Sequence, residues 1–441
     1  KRRDQKEKIK NNIKLMKSAS LKSWQGTTAV IGVDWGDSGK GRLIDDLATR
    51  ADTVARYSGG SNTGHTIEND LGSFKFHIIP SGILNSKAKC LIGRNVAVNL
   101  QSLTLEMADL DKKGISYENL IIDENASLTM PWHMLRDGLS ESMRREKIGT
   151  TKNGVGPTYA DRTERVGLLV KDLISEDFKQ KLDREIEIQN KFFNLKLNAA
   201  VILKTYQKHT EKIKPYIGRT IPYLKNSIKR GKNVLFEGAQ GWLLDIDAGT
   251  YPFVTSSNPG IVGIARSFDL HPSAINNVIG ITKAYTTRVG AGPMPTKISG
   301  EIASVIVTKG AEIGTTGRVR DPGWLDLVLI REAIDANGIN AMAVTKLDVL
   351  TGFKTIKVAI RYKNKKSGKL VDFVSLDSES IKNYQPVYKE FPGWKEDIRS
   401  IRNFQSLPKN AKTYIKTIEN ELKVPVKFIS VGPKRGEVIY V

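Results

Sequence analysis

Short apolar runs alternate with longer amphipathic segments along most of the chain. The runs are rich in β-branched residues, have the length of buried strands, and occur at 28–33, 53–58, 75–80, 233–238, 277–281, 342–347, 355–360 and 426–431. Helical periodicity fills many of the intervals, and the segment 325–338 ends on a glycine, a typical helix stop. Strands that alternate with helices usually form a parallel sheet with helices on both faces. The pattern therefore predicts an α/β fold with a large, mostly parallel central sheet flanked by helices.

Two segments depart from this alternation. The stretch from about 100 to 230 is long, charged and mostly helical, and we interpret it as an insertion within a single α/β domain that spans 26–441. Residues 1–25 are polar and mostly basic, so we expect an extension that lies outside the fold. No apolar run approaches the roughly 18 residues of a membrane helix, so no membrane partner is expected.

Composition narrows the class of protein further. The chain has 441 residues, of which 39% are hydrophobic and 26% charged, which is globular composition. Its single cysteine, Cys90, excludes a disulfide framework and a cysteine-based zinc site, and favours a reducing compartment; we expect the cytoplasm.

The net charge is +22, because 69 Lys and Arg outnumber 47 Asp and Glu. Clustered basic residues would predict a nucleic-acid partner, but the lysines recur along the whole length and aromatic residues are only 7%. We favour a solvated basic surface with sites for small phosphorylated ligands, and expect no nucleic acid.

The glycine loop GDSGKG, residues 36–41, lies between a predicted strand and a predicted helix. Its glycines let the backbone approach an anion, the helix N-terminus offers free N–H groups, and Lys40 adds a positive charge. It is not a standard Walker A loop, because Asp34 replaces the first glycine and Gly41 the magnesium-binding Ser or Thr. Asp37 offers a carboxylate to a metal ion instead. The alternatives are a glycine turn without a ligand and the GDSG of trypsin-like proteases, which the following helix contradicts.

A second loop, GGSNTGHT at 59–66, follows the second predicted strand. Ligands bind at strand ends in open α/β sheets, so Asn62 and His65 are candidate site residues. A lone loop histidine is more often structural. Near Asp37, however, His65 is a candidate acid or oxyanion donor.

Hydroxyl-rich loops recur at 149–156, 255–258 and 314–318. Each suits phosphate or carboxylate oxygens, and each alone is also typical of a helix cap. Arg318 and Arg320 accompany the last loop, and guanidinium groups bind carboxylates at two points.

The sequence TKLD at 345–348 ends a predicted buried strand. Asp348 can accept hydrogen bonds from the N1–H and the 2-amino group of guanine while the Lys346 stem packs on the base. A solvated strand-end turn is the alternative.

In their order along the chain, these motifs closely resemble the adenylosuccinate synthetase family. The resemblance covers about 28–441 and rests on WGDSGKGR, GGSNTGHT, FHIIPSGIL, GTTKNGVGPTYADR, FEGAQGWLLDIDAGTYPFVTSSN, KAYTTRVGAGPMPT, GTTGRVRDPGWLD, TKLDVLTGFK and SVGPKRGE. It implies a ligase that joins L-aspartate to inosine monophosphate (IMP) with GTP, giving adenylosuccinate, GDP and phosphate in AMP biosynthesis. The implied route has a 6-phosphoryl-IMP intermediate and uses Mg²⁺.

The resemblance also implies roles for individual residues. The catalytic residues would be Asp37 as the base, His65 as the acid, Lys40 and Gln240. The IMP contacts would be Asn62, Thr151, Arg165, Gln240, Thr255 and Arg318, and the aspartate contacts Thr315, Thr316, Arg318 and Arg320. The GTP contacts would be Gly36, Asp37, Ser38, Gly39, Lys40, Gly41, Gly64, His65, Thr66, Arg320, Lys346, Asp348, Ser430 and Gly432, and the Mg²⁺ ligands Asp37 and the Gly64 backbone.

Arg165 matches a residue that reaches IMP from the neighbouring subunit, so a homodimer is expected. Asp34 and Ser38 depart from the frequent Gln and Glu of the family, so the loop charge differs there. A GTP-binding switch without ligase activity is the alternative function, but it leaves GGSNTGHT and the long FEGAQG segment unexplained.

Overall fold

The structure is a computed structural model, and it describes residues 24–313 and 318–441. Its strands, in chain order, are β1 (Thr27–Gly32), β2 (Thr53–Arg56), β3 (His65–Asn69), β4 (Gly72–Phe76), β5 (Lys89–Ile92), β6 (Ala97–Val98), β7 (Leu120–Asp123), β8 (Ser127–Leu128), β9 (Ile217–Gly218), β10 (Val234–Glu237), β11 (Asn277–Lys283), β12 (Thr286–Arg288), β13 (Asp321–Gly323), β14 (Leu325–Asp326), β15 (Ala341–Thr345), β16 (Thr355–Asn364), β17 (Leu370–Val371), β18 (Tyr384–Pro392), β19 (Val426–Ser430) and β20 (Val438–Tyr440).

The helices within the same residues are α1 (Lys40–Ala48), α2 (Leu100–Lys112), α3 (Pro131–Met143), α4 (Val155–Glu164), α5 (Phe178–Phe193), α6 (Ala199–Ile213), α7 (Thr220–Lys229), α8 (Ile261–Phe268), α9 (Gly300–Lys309), α10 (Leu327–Asn337) and α11 (Lys409–Leu422). Across these described ranges, none combines the length and the apolar character that a membrane-spanning helix requires.

Ten strands form the central sheet, in the order β20-β19-β15-β11-β1-β10-β2-β5-β7-β9. Neighbouring strands are parallel except β20, which runs antiparallel to β19. All six residues of β1 are buried, as expected for a strand covered on both faces. The carboxyl ends of nine strands therefore meet at one edge of the sheet.

Side chains of alternate residues in β1 contribute to two separate cores, one on each face. Ala29 and Ile31 join the larger core, which includes the C-terminal helices, whereas Val30 joins the core that holds side chains of α1, α2, α3, α5 and α6. This alternation follows from the two-residue period of a strand. The predicted fold class is confirmed.

The helix within 325–338 is also present, as α10. The side chain of Asp326 caps its N-terminus by accepting a hydrogen bond from the Leu329 amide at 3.2 Å. Gly338 follows its last residue with φ of +61°, in the left-handed region that glycine adopts without strain.

Some predicted strands lie elsewhere than expected. The run at 75–80 ends an antiparallel hairpin, β3–β4, and the run at 355–360 lies in a smaller sheet with β14, β17 and β18. Both have one exposed face, because their burial alternates along the strand.

The stretch from 100 to 230 contains α2 to α7 but also contributes β7 and β9 to the edge of the central sheet. These strands are only four and two residues long, too short for the pattern to reveal them. Trp24, which the sequence analysis assigned to the N-terminal extension, is buried against the second core. The domain boundaries stay a prediction.

Candidate active site

One cleft of about 980 Å³ opens at the carboxyl edge of the central sheet. Loops that follow β1, β2, β10, β15 and β19 form its floor, which is where ligands bind in open α/β sheets. The predicted site residues that line it are Gly36, Asp37, Ser38, Gly39, Lys40, Gly41, Asn62, Gly64, His65, Thr66, Thr151, Gln240, Thr255, Arg318, Arg320, Lys346, Ser430 and Gly432. Most of the predicted residues thus share one cavity.

The glycine loop adopts a conformation that its glycines permit. Gly36 and Gly39 have φ of +88° and +78°, and Asp37 between them has φ of +52°. The buried Asp34 carboxylate holds the loop by accepting hydrogen bonds from the Gly36 amide at 3.0 Å and the Ser38 hydroxyl at 2.5 Å. The two residues that depart from the family pattern therefore bond to each other inside the protein.

Asp37 points from this loop into the cleft, with 37% of its side chain exposed. Its Oδ2 accepts a hydrogen bond from Nε of Arg320 at 2.7 Å. Partial desolvation in the cleft raises the pKa of Asp37, but the positive charges of Arg320 and Lys283 outweigh it and hold that pKa below its usual value. Asp37 is therefore ionised and able to accept a proton at neutral pH.

Lys40 lies at the first position of α1, with its side chain buried. Its Nζ donates to the backbone carbonyl of Gln240, and desolvation lowers its pKa. The ammonium group and the helix N-terminus together suit a phosphate group.

His65 has a buried carboxylate partner that the sequence analysis did not identify. Its Nδ1 lies 2.5 Å from Oε1 of Glu237, and the same carboxylate accepts from the Ser81 amide at 2.7 Å and the Ser81 hydroxyl at 2.8 Å. Burial lowers the pKa of His65, although Glu237 opposes this shift. Nε2 is buried and has no hydrogen-bond partner among the described residues, so it is the ring atom available to a ligand.

Gln240 joins three loops of the cleft. Its Nε2 donates to Oδ1 of Asn62 at 3.2 Å and to the Thr63 hydroxyl, and its Oε1 accepts from the Ser257 hydroxyl at 3.2 Å. Its φ of +54° turns the chain back toward the glycine loop. The loop after β10 therefore fixes the spacing between the loops at 59–66 and 255–258.

On the other wall, Arg318 donates from Nη1 to the carbonyl of Gly149 at 2.7 Å. This contact joins the hydroxyl-rich loop at 149–156, which carries Thr151, to the arginine-containing stretch. Thr315 and Thr316 lie outside the described residues.

A family model described as adenylosuccinate synthetase matches residues 29–439. The chain belongs to the adenylosuccinate synthetase family. It is accordingly a GDP-forming ligase that uses GTP to join L-aspartate to IMP in AMP biosynthesis. The family and the reaction predicted from the sequence are confirmed, and no finding supports a GTP-binding switch.

Known adenylosuccinate synthetases are similar to the chain over nearly their full length. The enzyme of Caldanaerobacter subterraneus subsp. tengcongensis is 44% identical over 422 residues, which cover 93% of this chain and 98% of the relative. That of Caldicellulosiruptor bescii is 45% identical over 424 residues, covering 94% and 99%. The structure of fully ligated adenylosuccinate synthetase from Plasmodium falciparum superposes with a TM-score of 0.91 at 34% identity, covering 94% of this chain and 100% of that one.

Two residues that the adenylosuccinate synthetase pattern assigns to substrate do not line the cleft. Asp348 is partly buried in a short turn after β15, where burial raises its pKa. Arg165 is exposed beyond the end of α4, with φ of +71°. Their roles stay predictions.

One carboxylate of the cleft, that of Asp37, is a candidate ligand for a metal ion. Within the residues that the structure describes, no three His, Cys, Asp or Glu side chains are grouped to hold a metal ion. Magnesium commonly binds through one or two carboxylates together with substrate phosphates and water. The Asp37 carboxylate, open to the cleft and next to the glycine loop, fits that requirement.

Proposed function

We propose that the cleft performs the ligation in two steps, with Asp37 as the general base and His65 as the acid. The observation that carries this proposal is the placement of the two side chains. Both line the same cleft. Asp37 lies on the loop after β1 and His65 begins β3 after the loop that follows β2, and β10 with Glu237 lies between β1 and β2. A base and an acid on opposite sides of one reacting group suit a reaction that removes one proton and stabilises a developing negative charge.

In the first step, Asp37 takes the N1 proton of IMP. The electron pair moves to the 6-oxygen, which attacks the γ-phosphorus of GTP, and GDP leaves. Nε of Arg320 donates to Oδ2 of Asp37, so Oδ1 is the oxygen that would take the proton. The negatively charged phosphates and the aspartate carboxylate offer Arg320 other partners.

His65 acts on the 6-oxygen and the transferring phosphoryl group. Its neutral ring donates from Nδ1 to Glu237, which leaves Nε2 without a proton. A bound triphosphate raises the pKa of the ring by charge attraction, so Nε2 becomes protonated and donates. In the second step the neutral amine of aspartate attacks C6, the C6–O bond breaks, and phosphate leaves with the proton that the amine loses.

Asp37 and the backbone carbonyl of Gly64 would hold Mg²⁺, which when bound neutralises charge on the phosphates. Lys40 and the loop amides at 36–41 would hold the phosphates themselves. Asn62, Thr151 and Thr255 would contact IMP, with Gln240 keeping their loops at a fixed spacing.

The aspartate carboxylates would bind Arg318 and Arg320 together with Thr315 and Thr316. Guanine would lie beyond the phosphates, against Lys346 and the 430–432 loop, where the Ser430 hydroxyl donates to the Gly432 carbonyl at 2.9 Å. Asp348 would select the base from the edge of this pocket.

We also propose a homodimer in which Arg165 completes the IMP site of the partner. An apolar row on α3, formed by Leu135, Leu139 and Met143, is exposed, and its four-residue spacing puts it on one helix face. Arg165 follows α4, which packs along α3. A second copy covering that row would bring Arg165 near an interface. The cytoplasmic location stays a prediction.

Asp37→Asn tests the proposed base. The amide keeps the shape of the side chain but cannot take a proton, so kcat should fall by about a hundred- to ten-thousand-fold. Binding of IMP and of GTP, measured separately by calorimetry, should change little. Asp183→Asn, on the exposed face of α5, is the matched control and should retain full turnover. Turnover of Asp37→Asn within a few-fold of the parent would contradict the assignment.

A further inference from the structure

Four charged or hydroxyl groups meet at one buried carboxylate beneath the cleft. Glu312 is fully buried, and both of its oxygens accept from Nζ of Lys283 at 2.8 Å. Oε1 also accepts from the Tyr285 hydroxyl at 2.5 Å and from Nζ of Lys346 at 2.7 Å. Oε2 accepts from Nη1 of Arg320 at 3.1 Å. Glu312 does not line the cleft, but two of its partners do.

These two partners belong to different parts of the cleft. Lys346 follows β15 on the side of the 430–432 loop, and it has a strained φ of +56° that aims its ammonium group at Glu312 and the Gly310 carbonyl. Arg320 also donates from Nε to Oδ2 of Asp37, on the other side of the cleft. The Glu312 carboxylate therefore binds Lys346, on the proposed guanine side of the cleft, with Oε1. It binds Arg320, on the proposed aspartate side, with Oε2.

The backbone strengthens the same connection. The amide of Arg320 donates to the carbonyl of Glu312 at 2.9 Å, and Ile313 pairs with Val319 across the segment between them. Glu312 and Arg320 thus lie on either side of the stretch of sequence that carries the predicted aspartate residues. Glu312 is therefore hydrogen-bonded to Arg320 through both its side chain and its main chain.

Glu312 is a charged acceptor under these conditions. Burial raises its pKa, but Lys283 and Lys346 outweigh this effect and lower the pKa to about 2. Lys283 is fully buried and does not line the cleft, whereas Lys346 and Arg320 do. The contacts of Lys346 and Arg320 with Glu312 fix the positions of these two cations in the cleft.

We propose that Glu312 is a positioning residue that sets the affinity for GTP and for aspartate together, through Lys346 and Arg320, without affecting IMP. This rests on the proposed function, which assigns those two cations to GTP and aspartate. Asn62, Thr151 and Thr255, which are assigned to IMP, are not among the four hydrogen-bond partners of Glu312, so the KM for IMP should change least.

The test is steady-state kinetics of Glu312→Gln with each substrate varied in turn. The amide weakens its hold on both cations, so the KM values for GTP and for aspartate should each rise about tenfold or more. The KM for IMP should stay within about threefold. Glu301→Gln, an exposed glutamate at the start of α9, is the matched control and should change none of the three values.

Glu312→Asp keeps the counter-charge for Lys283 and so protects the fold if the glutamine variant is unstable. Its shorter side chain withdraws the carboxylate from Lys346 and Arg320, and both KM values should rise by a smaller factor. Thermal melting of each variant shows that the folded protein is being assayed. Unchanged KM values for GTP and aspartate in a folded variant would overturn the proposal, and so would an equal rise in all three.

Two further variants separate this proposal from the one on which it rests. Lys346→Met should raise the KM for GTP alone, and Arg320→Gln should raise the KM for aspartate. If neither does, the assignment of the two cations to substrates is wrong. If both do while the Glu312 variants behave like the parent, only the positioning role is wrong.

Discussion

The hydrogen bond between His65 and Glu237 fixes the orientation of the imidazole ring. The negative charge of Glu237 also favours the protonated form of that ring, which would act on the reacting oxygen. In Glu237→Gln the ring keeps a hydrogen-bond acceptor at Nδ1 but loses the negative charge that stabilises its protonated form. The pKa of His65 should therefore fall further, and kcat should drop about tenfold or more. The decline of kcat with rising pH, which marks loss of the Nε2 proton, should begin at lower pH than in the parent.

Glu106→Gln is the matched control for this pH profile. Glu106 is buried on the same face of the sheet, but it accepts from the backbone amides of residues 77–79 instead of from His65. Burial raises its pKa to about 7, so an amide resembles its protonated form. An unshifted profile in Glu237→Gln, or the same shift in both variants, would contradict the role of Glu237.

Asp348 carries a prediction about base selection. If its carboxylate accepts from guanine N1–H and the 2-amino group, Asp348→Asn should lower kcat/KM for GTP by about tenfold or more. The amide N–H suits the 2-oxo group of xanthine, so XTP should become the better donor, while ATP should be poor for both proteins. The measurement compares GTP, ATP and XTP at saturating IMP and aspartate. If the variant prefers GTP over XTP as strongly as the parent does, Asp348 does not select the base and TKLD is only a strand-end turn.

The motifs and the family resemblance that they carry were enough to predict most of the assigned side chains that line the cleft, but not how the backbone presents them. Asp37, Gln240 and Lys346 all have positive φ without being glycine, a conformation uncommon for such residues. The residue types do not predict this backbone conformation, because the surrounding loops impose it. The partners Glu237 and Glu312 were missed for a related reason, since a buried acid acting on another residue has no motif of its own.

At the level of elements, the loop after β10 and the glycine loop after β1 pack backbone against backbone. A Cβ at Gly241 would overlap the carbonyl oxygen of Asp34 and the amide of Gly36. Gly241→Ala should therefore push the two loops apart and reduce kcat/KM by about tenfold or more, since small displacements at a reacting centre are costly. Kinetics with all three substrates and a thermal melt check this.

Gly138→Ala is the matched control for Gly241→Ala. Gly138 lies inside α3 with no atom near the position of a new Cβ, and alanine is the better helix former by about 1 kcal/mol. This variant should keep full activity and melt no lower than the parent. Equal activity of the two variants would show that the loops tolerate separation.

The strand–loop–helix unit at 27–48 was predictable because three independent signals agree there: a β-branched run, a glycine loop and an amphipathic helix. The edge strands β7 and β9 were not, because the sheet extends by adding short strands from a mostly helical segment. The hairpin β3–β4 likewise has strand character without belonging to the central sheet. The local sequence pattern predicts whether a segment forms a strand, whereas tertiary packing decides which sheet that strand joins.

For the whole molecule, the charge of +22 is consistent with a ligase whose substrates are all anions. The cleft gathers Lys40, Arg288, Arg318, Arg320 and Lys346 within one cavity. Such a concentration of positive charge attracts anionic substrates and accelerates their association at low salt.

Assembly of two copies leads to the final prediction. Arg165 is exposed and does not line the cleft of its own chain, so Arg165→Leu should weaken the use of IMP without lowering the melting temperature. Mixing this variant with Asp37→Asn should restore activity, because a hybrid dimer holds one site with both Asp37 and a partner's Arg165. Free exchange at equal amounts would restore roughly a quarter of the parent activity, since half of the dimers are hybrids with one complete site each. A mixture no more active than the two variants assayed apart would mean that Arg165 acts in its own subunit or has no part in the reaction.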